Sequence, residues 1–428
     1  MTKKVLALIL LTAVAGTAAG LQAGPEKKRF GAPTEDMTRE EYQSLVFLDP
    51  QNTVRVDWDA VKGLDGYFLI DNQGDPTVSV VDYKQEKTIK KIDMGETGNH
   101  HLWIIPGGRY AWSSQRYEKD VMWTIDLTTL KVIDKFKLSR DGKQILAPLH
   151  IGFAYTRPLA ATGNILDKEN GYVTLLSTAT RKPVATIATS CPGVRDALFT
   201  LDDTTIFATC QQKPQGVTVI DVRSRKEINM IPVDGARTGA MDPQGKYFLV
   251  GAKGAAVIID TATRKVVKKI TVPGGGGNYT CLPDGSKCYY GLRKASKIAV
   301  LDMSKLSLLT TIDTGPDTNR LYLNPANPRY GIVTNEAGDS DIVTVIDTKK
   351  DVAVKTIFTG LGPHNVAFDP DGKRAIVSTK KEPVATLLDT SGDPKDWDVI
   401  TTDIAAGIQN NGVRWVPRPE VIKAALND

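Results

Sequence analysis

The chain has 428 residues, of which 24% are charged and 41% hydrophobic, with a formal net charge of +5. A balance this close to neutral gives no general electrostatic case for nucleic-acid binding. Its 37 glycines and 23 prolines carry no collagen-like period and suit a fold with many turns.

The first expected element is a secretory signal over residues 1–23. Lys3 and Lys4 precede an apolar run from Val5 to about Leu21, and Leu21-Gln22-Ala23 offers a small-residue cleavage site, with Thr17–Gly20 as a second candidate. The alternative is an uncleaved anchor, but Gly16 and Gly20 break the run, so cleavage and a mature chain without a membrane segment are expected. Export to the periplasm implies an oxidising compartment. Residues 24–60 are charged and irregular and read as an N-terminal strap with one short helix near Met37–Tyr42.

From residue 61 to 418 the chain repeats. An alternating strand ends in Asp, a turn follows, and the next strand opens with Lys or Arg. The endings are Val80-Val81-Asp82, Thr124-Ile125-Asp126, Leu175-Leu176-Ser177, Val219-Ile220-Asp221, Ile258-Ile259-Asp260, Val300-Leu301-Asp302, Val345-Ile346-Asp347 and Leu387-Leu388-Asp389, at intervals of 39 to 51 residues. Short alternating strands with a period near 40–45 residues mark propeller blades, and the absence of helical periodicity excludes an α-solenoid. The expectation is an all-β, eight-bladed β-propeller with four antiparallel strands per blade; seven blades is the runner-up. Gly412–Pro417 reads as an innermost strand that completes the first blade, which closes the ring and leaves no open sheet edge. Residues 419–428 form a C-terminal tail. Cys191 with Cys210, and Cys281 with Cys288, bracket hairpins and suggest two local disulfides; no CxxCH motif points to covalent haem.

In a propeller the innermost strand of each blade lines the central channel, so its first residue sits at one mouth. Stepping back six residues from each turn proline or its equivalent gives His100, Arg195, Arg237, Gly277, Asn319, His364 and Asn411, and His150 opens the third blade's inner strand. With His101 adjacent to His100, all four histidines of the chain fall at this one kind of position. Neutral imidazole is the commonest transition-metal ligand, and Arg forks suit carboxylates and oxyanions. His100, His101, His150 and His364 are therefore candidate metal ligands. By strand alternation, one of His100 and His101 is expected to face the channel and the other to buttress it. A small anionic ligand or substrate is expected beside them, and Tyr155, Tyr279 and the Gly274–Gly277 run are further channel candidates. The other reading of the histidines is that of ordinary polar residues at a wet mouth.

Ile332-Val333-Thr334-Asn335, followed by Val345-Ile346-Asp347-Thr348, resembles the YVTN repeats of secreted propellers. Ile92-Asp93-Met94-Gly95, the His100-His101 pair, Gly108-Arg109-Tyr110, Arg116 and the turn Asn327–Gly331 resemble the haem-d1 propeller family, which includes the d1 domain of cytochrome cd1 nitrite reductase and its accessory relatives. That resemblance implies a haem d1 cofactor with His100 or His101 as axial ligand and Arg116 as a carboxylate partner; Arg195 and Arg237 are added from the ring. There is no cytochrome c domain, the family's distal histidines are missing, and His150 and His364 are extra. A paired His, a His about fifty residues on and a His in the last blade are similar instead to copper propellers, such as nitrous oxide reductase and the copper-dependent methanethiol and thiocyanate oxidoreductases. The expected function is periplasmic binding of a redox centre, haem d1 or copper, in cofactor maturation or in oxidoreductase chemistry with an electron-transfer partner. A metal-free binding scaffold is the remaining alternative.

Overall fold

The computed structural model describes residues 28–49, 55–117, 119–140, 142–143 and 145–427. The expected signal segment, residues 1–23, lies outside them. Eight four-stranded antiparallel sheets follow one another around a central channel, so eight blades, not seven, is the count. The first blade takes Gly66–Asn72, Thr77–Asp82 and Lys87–Asp93 from its own repeat and its innermost strand, Asn410–Pro417, from the far end of the chain. Phe68 pairs with Trp415 and Ile70 with Val413 across that seam. Gly66 permits it, because a Cβ there would lie 2.4 Å from the Trp415 ring.

The repeated Asp that marks each blade has a physical role. It ends the third strand, and its carboxylate accepts backbone N–H groups of the turn that follows. Asp221 Oδ1 accepts from Ser224 N at 2.7 Å, Asp260 Oδ1 from Thr263 N at 2.7 Å, and Asp347 Oδ1 from Lys349 N and Lys350 N at 2.9 and 3.0 Å. In the third blade the Ser177 hydroxyl does the same for Thr180 N. The inner three strands are buried on both faces and read as nearly continuous apolar runs, such as Phe68-Leu69-Ile70 and Val219-Ile220. The outermost strands alternate exposed and half-buried residues, as in Lys131–Lys137. Both expected disulfides, Cys191–Cys210 and Cys281–Cys288, are formed.

The strap crosses the face opposite the histidines. Thr38 caps a short helix, Arg39–Ser44, in a reciprocal capping box with Glu41. Tyr42 and Phe47 beyond the cap are buried, with Phe47 edge-on to Phe153 of the third blade. The strap then delivers Asp49 to the channel, where it lies 3.8 Å from Arg414. The C-terminal tail is a helix, Pro419–Asn427, that buries Ile422 against the first blade. No helix among the described residues is long and apolar enough to cross a membrane.

Candidate metal and anion site

In five of the eight blades the innermost strand pairs regularly with its neighbour until it nears the mouth, where the register slips. In the second blade Asn99 pairs with Gln115 and Leu102 with Ser113, so His100 and His101 form a bulge of one extra residue. The same slip places Arg195 and Asp196 in the fourth blade, Asn319 in the seventh, His364 and Asn365 in the eighth, and Asn411 and Gly412 in the first. A bulge breaks the two-residue alternation of a strand and re-aims its side chains. The expectation that only one of His100 and His101 faces the channel is therefore corrected: both line the cavity. In the third, fifth and sixth blades the paired inner strands are short, Ile151–Phe153, Gly239–Met241 and Tyr279–Cys281, and His150, Arg237 and Gly277 stand ahead of them.

Of these positions, His100, His101, His150, Arg195, Arg237, Asn319, His364 and Asn365 surround a cavity of about 400 Å3. All four histidines border it, and one ligand nitrogen from each of His100, His101 and His150 lies within 4.8 Å of the others. His364 stacks on His101 with ring centroids 6.4 Å apart. Three of the rings are oriented through Nδ1. His150 Nδ1 contacts Asp196 Oδ1, and His364 Nδ1 contacts Glu336 Oε1. A carboxylate only accepts, so both rings carry their proton on Nδ1 and leave Nε2 as a lone pair. His100 Nδ1 meets the amide pair of Gln73, at 2.9 Å, and Asn411, at 2.8 Å. Asn411 continues to Asn365 and Asn365 to the Tyr322 hydroxyl, a polar chain across four blades. His101 Nδ1 is buried without a hydrogen-bond partner among the described residues, which is unusual for a buried polar atom.

The electrostatics favour neutral rings. Burial holds His100 and His101 well below the ordinary imidazole range, and Arg116 pushes His100 the same way. Burial lowers His150 against the opposing pull of Asp196, and lowers His364 to about 4 against that of Glu336. Burial alone would raise Asp196 and Glu336, but their histidine partners and nearby cations hold both below the usual carboxylate range. The result is a set of uncharged imidazoles backed by ionised carboxylates, the arrangement that metal-binding histidines use.

Arg116, Arg195 and Arg237 also line the cavity, with Arg293, Arg320 and Lys380, while Glu336 is the one carboxylate residue on its wall among the described residues. Arg293 is neutralised by Asp317, through Nε at 2.7 Å, and by Glu336 at 3.0 Å. Glu336, Arg293 and Lys380 were not singled out in the sequence, yet a signal exists. They are the first residues past the second strands Tyr330–Asn335, Lys287–Leu292 and Arg374–Thr379, the position that holds Gln73 and Arg116 in earlier blades. Asp196 could have been found as the neighbour of Arg195 in the bulge. Tyr279 borders a smaller chamber of about 60 Å3 below the histidines, together with Asp49, Trp103, His150 and Asp196. Tyr155 does not border either space; its backbone N–H is tied to Asp203 at 2.7 Å and its ring packs between the third and fourth blades. Of the glycine run, Gly276 borders the cavity beside Arg237.

The solved structure of the dihydro-heme d1 dehydrogenase NirN in complex with DHE superposes on 92% of this chain and 78% of its own, with a TM-score of 0.64 and 15% identity. The chain has the same propeller fold. Citrobacter koseri AztD (TM-score 0.62, 13% identity, covering 82% of this chain and 97% of that one) and Kuenenia stuttgartiensis hydrazine synthase (0.51, 18%, 78% and 97%) share the fold as well. In sequence the propeller is 27% identical to the uncharacterized YncE proteins of Salmonella typhimurium and Salmonella typhi over 186 residues. That match covers 42% of this chain and 52% of theirs, about half the length of these relatives. No protein-family model matches the chain.

Proposed function

We propose that the channel mouth binds a transition-metal ion on the imidazoles of His100, His101 and His150, with His364 beside them, and that the protein uses it for redox chemistry on a small anionic ligand in the periplasm. The observation that carries this reading is the convergence of three imidazole nitrogens within 4.8 Å. Neutral nitrogen donors without thiolate suit copper, whose bound ion would supply one-electron chemistry. The two disulfides are consistent with an exported protein. An electron-transfer partner in the same compartment belongs to the reading.

A second reading is haem d1, favoured by the fold shared with NirN and by the cations at the mouth. His100 or His101 would be the axial ligand and Arg116, Arg195 and Arg237 the carboxylate partners. The imidazole geometry fits it less well. A macrocycle already surrounds its iron with four nitrogens and leaves one axial position on each face, whereas here three rings crowd one point.

Metal analysis and an absorption spectrum of protein purified from its native host separate the two. Copper without macrocycle bands is the expected result, and titration of copper into metal-free protein should show a tight site that His150→Ala weakens at least tenfold. Iron with long-wavelength macrocycle bands would replace the copper reading by the haem one. Neither metal, together with unchanged copper binding in a His100→Ala/His101→Ala/His150→Ala/His364→Ala variant, would leave a metal-free scaffold.

A further inference from the structure

The cations at the mouth are more than the carboxylates around them can neutralise. Arg116, Arg237 and Lys380 make no side-chain hydrogen bond or ion pair with any described residue, and Arg195 shares Asp196, 3.6 Å from its Nε, with His150. Its Nε is buried without a hydrogen-bond partner. Asp196 attracts Arg195 and Glu336 attracts Lys380, but each carboxylate is shared with a histidine, and the cations also repel one another across the cavity: Arg195 feels Arg237 and Arg116, and Lys380 feels Arg116 and Arg293. Buried like charges destabilise a fold unless something of opposite sign sits between them.

These four cations come from blades two, four, five and eight, so they approach the cavity from widely separated directions. A carboxylate is planar and offers its two oxygens to one fork. An anion that serves donors arriving from all around needs oxygens pointing in several directions and more than one negative charge. We infer that the mouth is a receptor for a tetrahedral, doubly charged oxyanion, held by Arg195, Arg237, Arg116 and Lys380 without help from a metal. The inference rests on the reading above for the place of the ligand site, but not for the ion on the imidazoles.

The test is calorimetric titration of metal-free full-length protein with sodium sulfate, sodium nitrate and sodium succinate at fixed ionic strength. Sulfate is expected to bind one per chain, at least tenfold more tightly than nitrate or succinate. Arg195→Gln/Lys380→Gln should weaken sulfate at least tenfold with an unchanged circular-dichroism spectrum, and Arg195→Lys should weaken it less. Equal binding of nitrate, tighter binding of succinate, or sulfate binding untouched in the double variant would each overturn the inference. Copper titration of the same samples keeps the two readings apart. Sulfate binding without copper binding would sink only the metal site, and copper binding without sulfate binding would sink only the oxyanion receptor.

Discussion

Gly412 has no side chain, and His101 occupies the space one would fill: a Cβ there would lie 2.9 Å from both Cα and Nδ1 of His101. Gly412→Ala is therefore expected to displace the ring with a cost of about 1–3 kcal/mol in stability. Copper affinity should fall at least tenfold in the same variant, and titration beside a thermal melt reads both. Asp196 acts through another residue. It holds His150 by Nδ1 and is itself held by the Gly239 N–H at 2.8 Å. Asp196→Asn keeps an acceptor but loses the charge that makes the imidazole a better donor, so copper affinity should drop by about 10–100-fold. An unchanged affinity would show that Asp196 serves only the local packing.

At the scale of an element, the bulge matters more than the strand. One extra residue near the mouth turns both His100 and His101 towards the cavity, and in the fourth blade it turns Arg195 to the cavity and Asp196 to the smaller chamber, where it orients His150 of the preceding blade. The strand Asn410–Pro417 has two tasks, since it closes the ring through Gly66–Asn72 and brings Asn411 to His100. Trp415, 2% exposed, lies at the centre of that seam. Trp415→Ala should cost about 3–5 kcal/mol, measured as a shift in the denaturant midpoint. A loss below 1 kcal/mol would mean that the seam does not hold the ring closed.

For the whole molecule, the buried titratable groups set opposing dependences on pH. The histidines are depressed in the fold relative to the ordinary value near 6.5, so the unfolded chain binds more protons as the pH falls. Their contribution is complete above about 6.5 and is lost as the pH drops towards the folded values, about 4 for His364. Metal-free protein should therefore have a lower denaturant midpoint at pH 5 than at pH 7. Saturating copper should offset part of that loss, because it competes with protons for the same nitrogens. Asp71 works in the opposite direction. Buried beside Ser113, its carboxyl is pushed up to about 8, so its contribution is full at low pH and lost as the pH rises through about 8. Asp71→Asn should remove the part of the stability profile that falls between about pH 4 and pH 8; a profile identical to the parent chain's would exclude the assignment.

The Asp-ended strands, their spacing and the gathering of four histidines at one repeat position belong to the chain itself, because a propeller maps each repeat onto one blade and like positions onto one ring. Blade number, closure by a strand read at residues 412–417 and both disulfides followed from local pattern alone; the strand itself begins two residues earlier, at Asn410. What the linear order could not supply was side-chain direction at the mouth. A bulge changes the strand's period by one residue without changing composition, so His100 and His101 looked like opposite faces until the pairing register was seen. The second ring, where Glu336, Arg293 and Lys380 follow a strand that does not line the channel along its length, became part of the site only when the blades were set side by side. The proton positions on His150 and His364 likewise depend on carboxylates 46 and 28 residues away. Distances of that kind are decided by packing between blades, which no single repeat encodes.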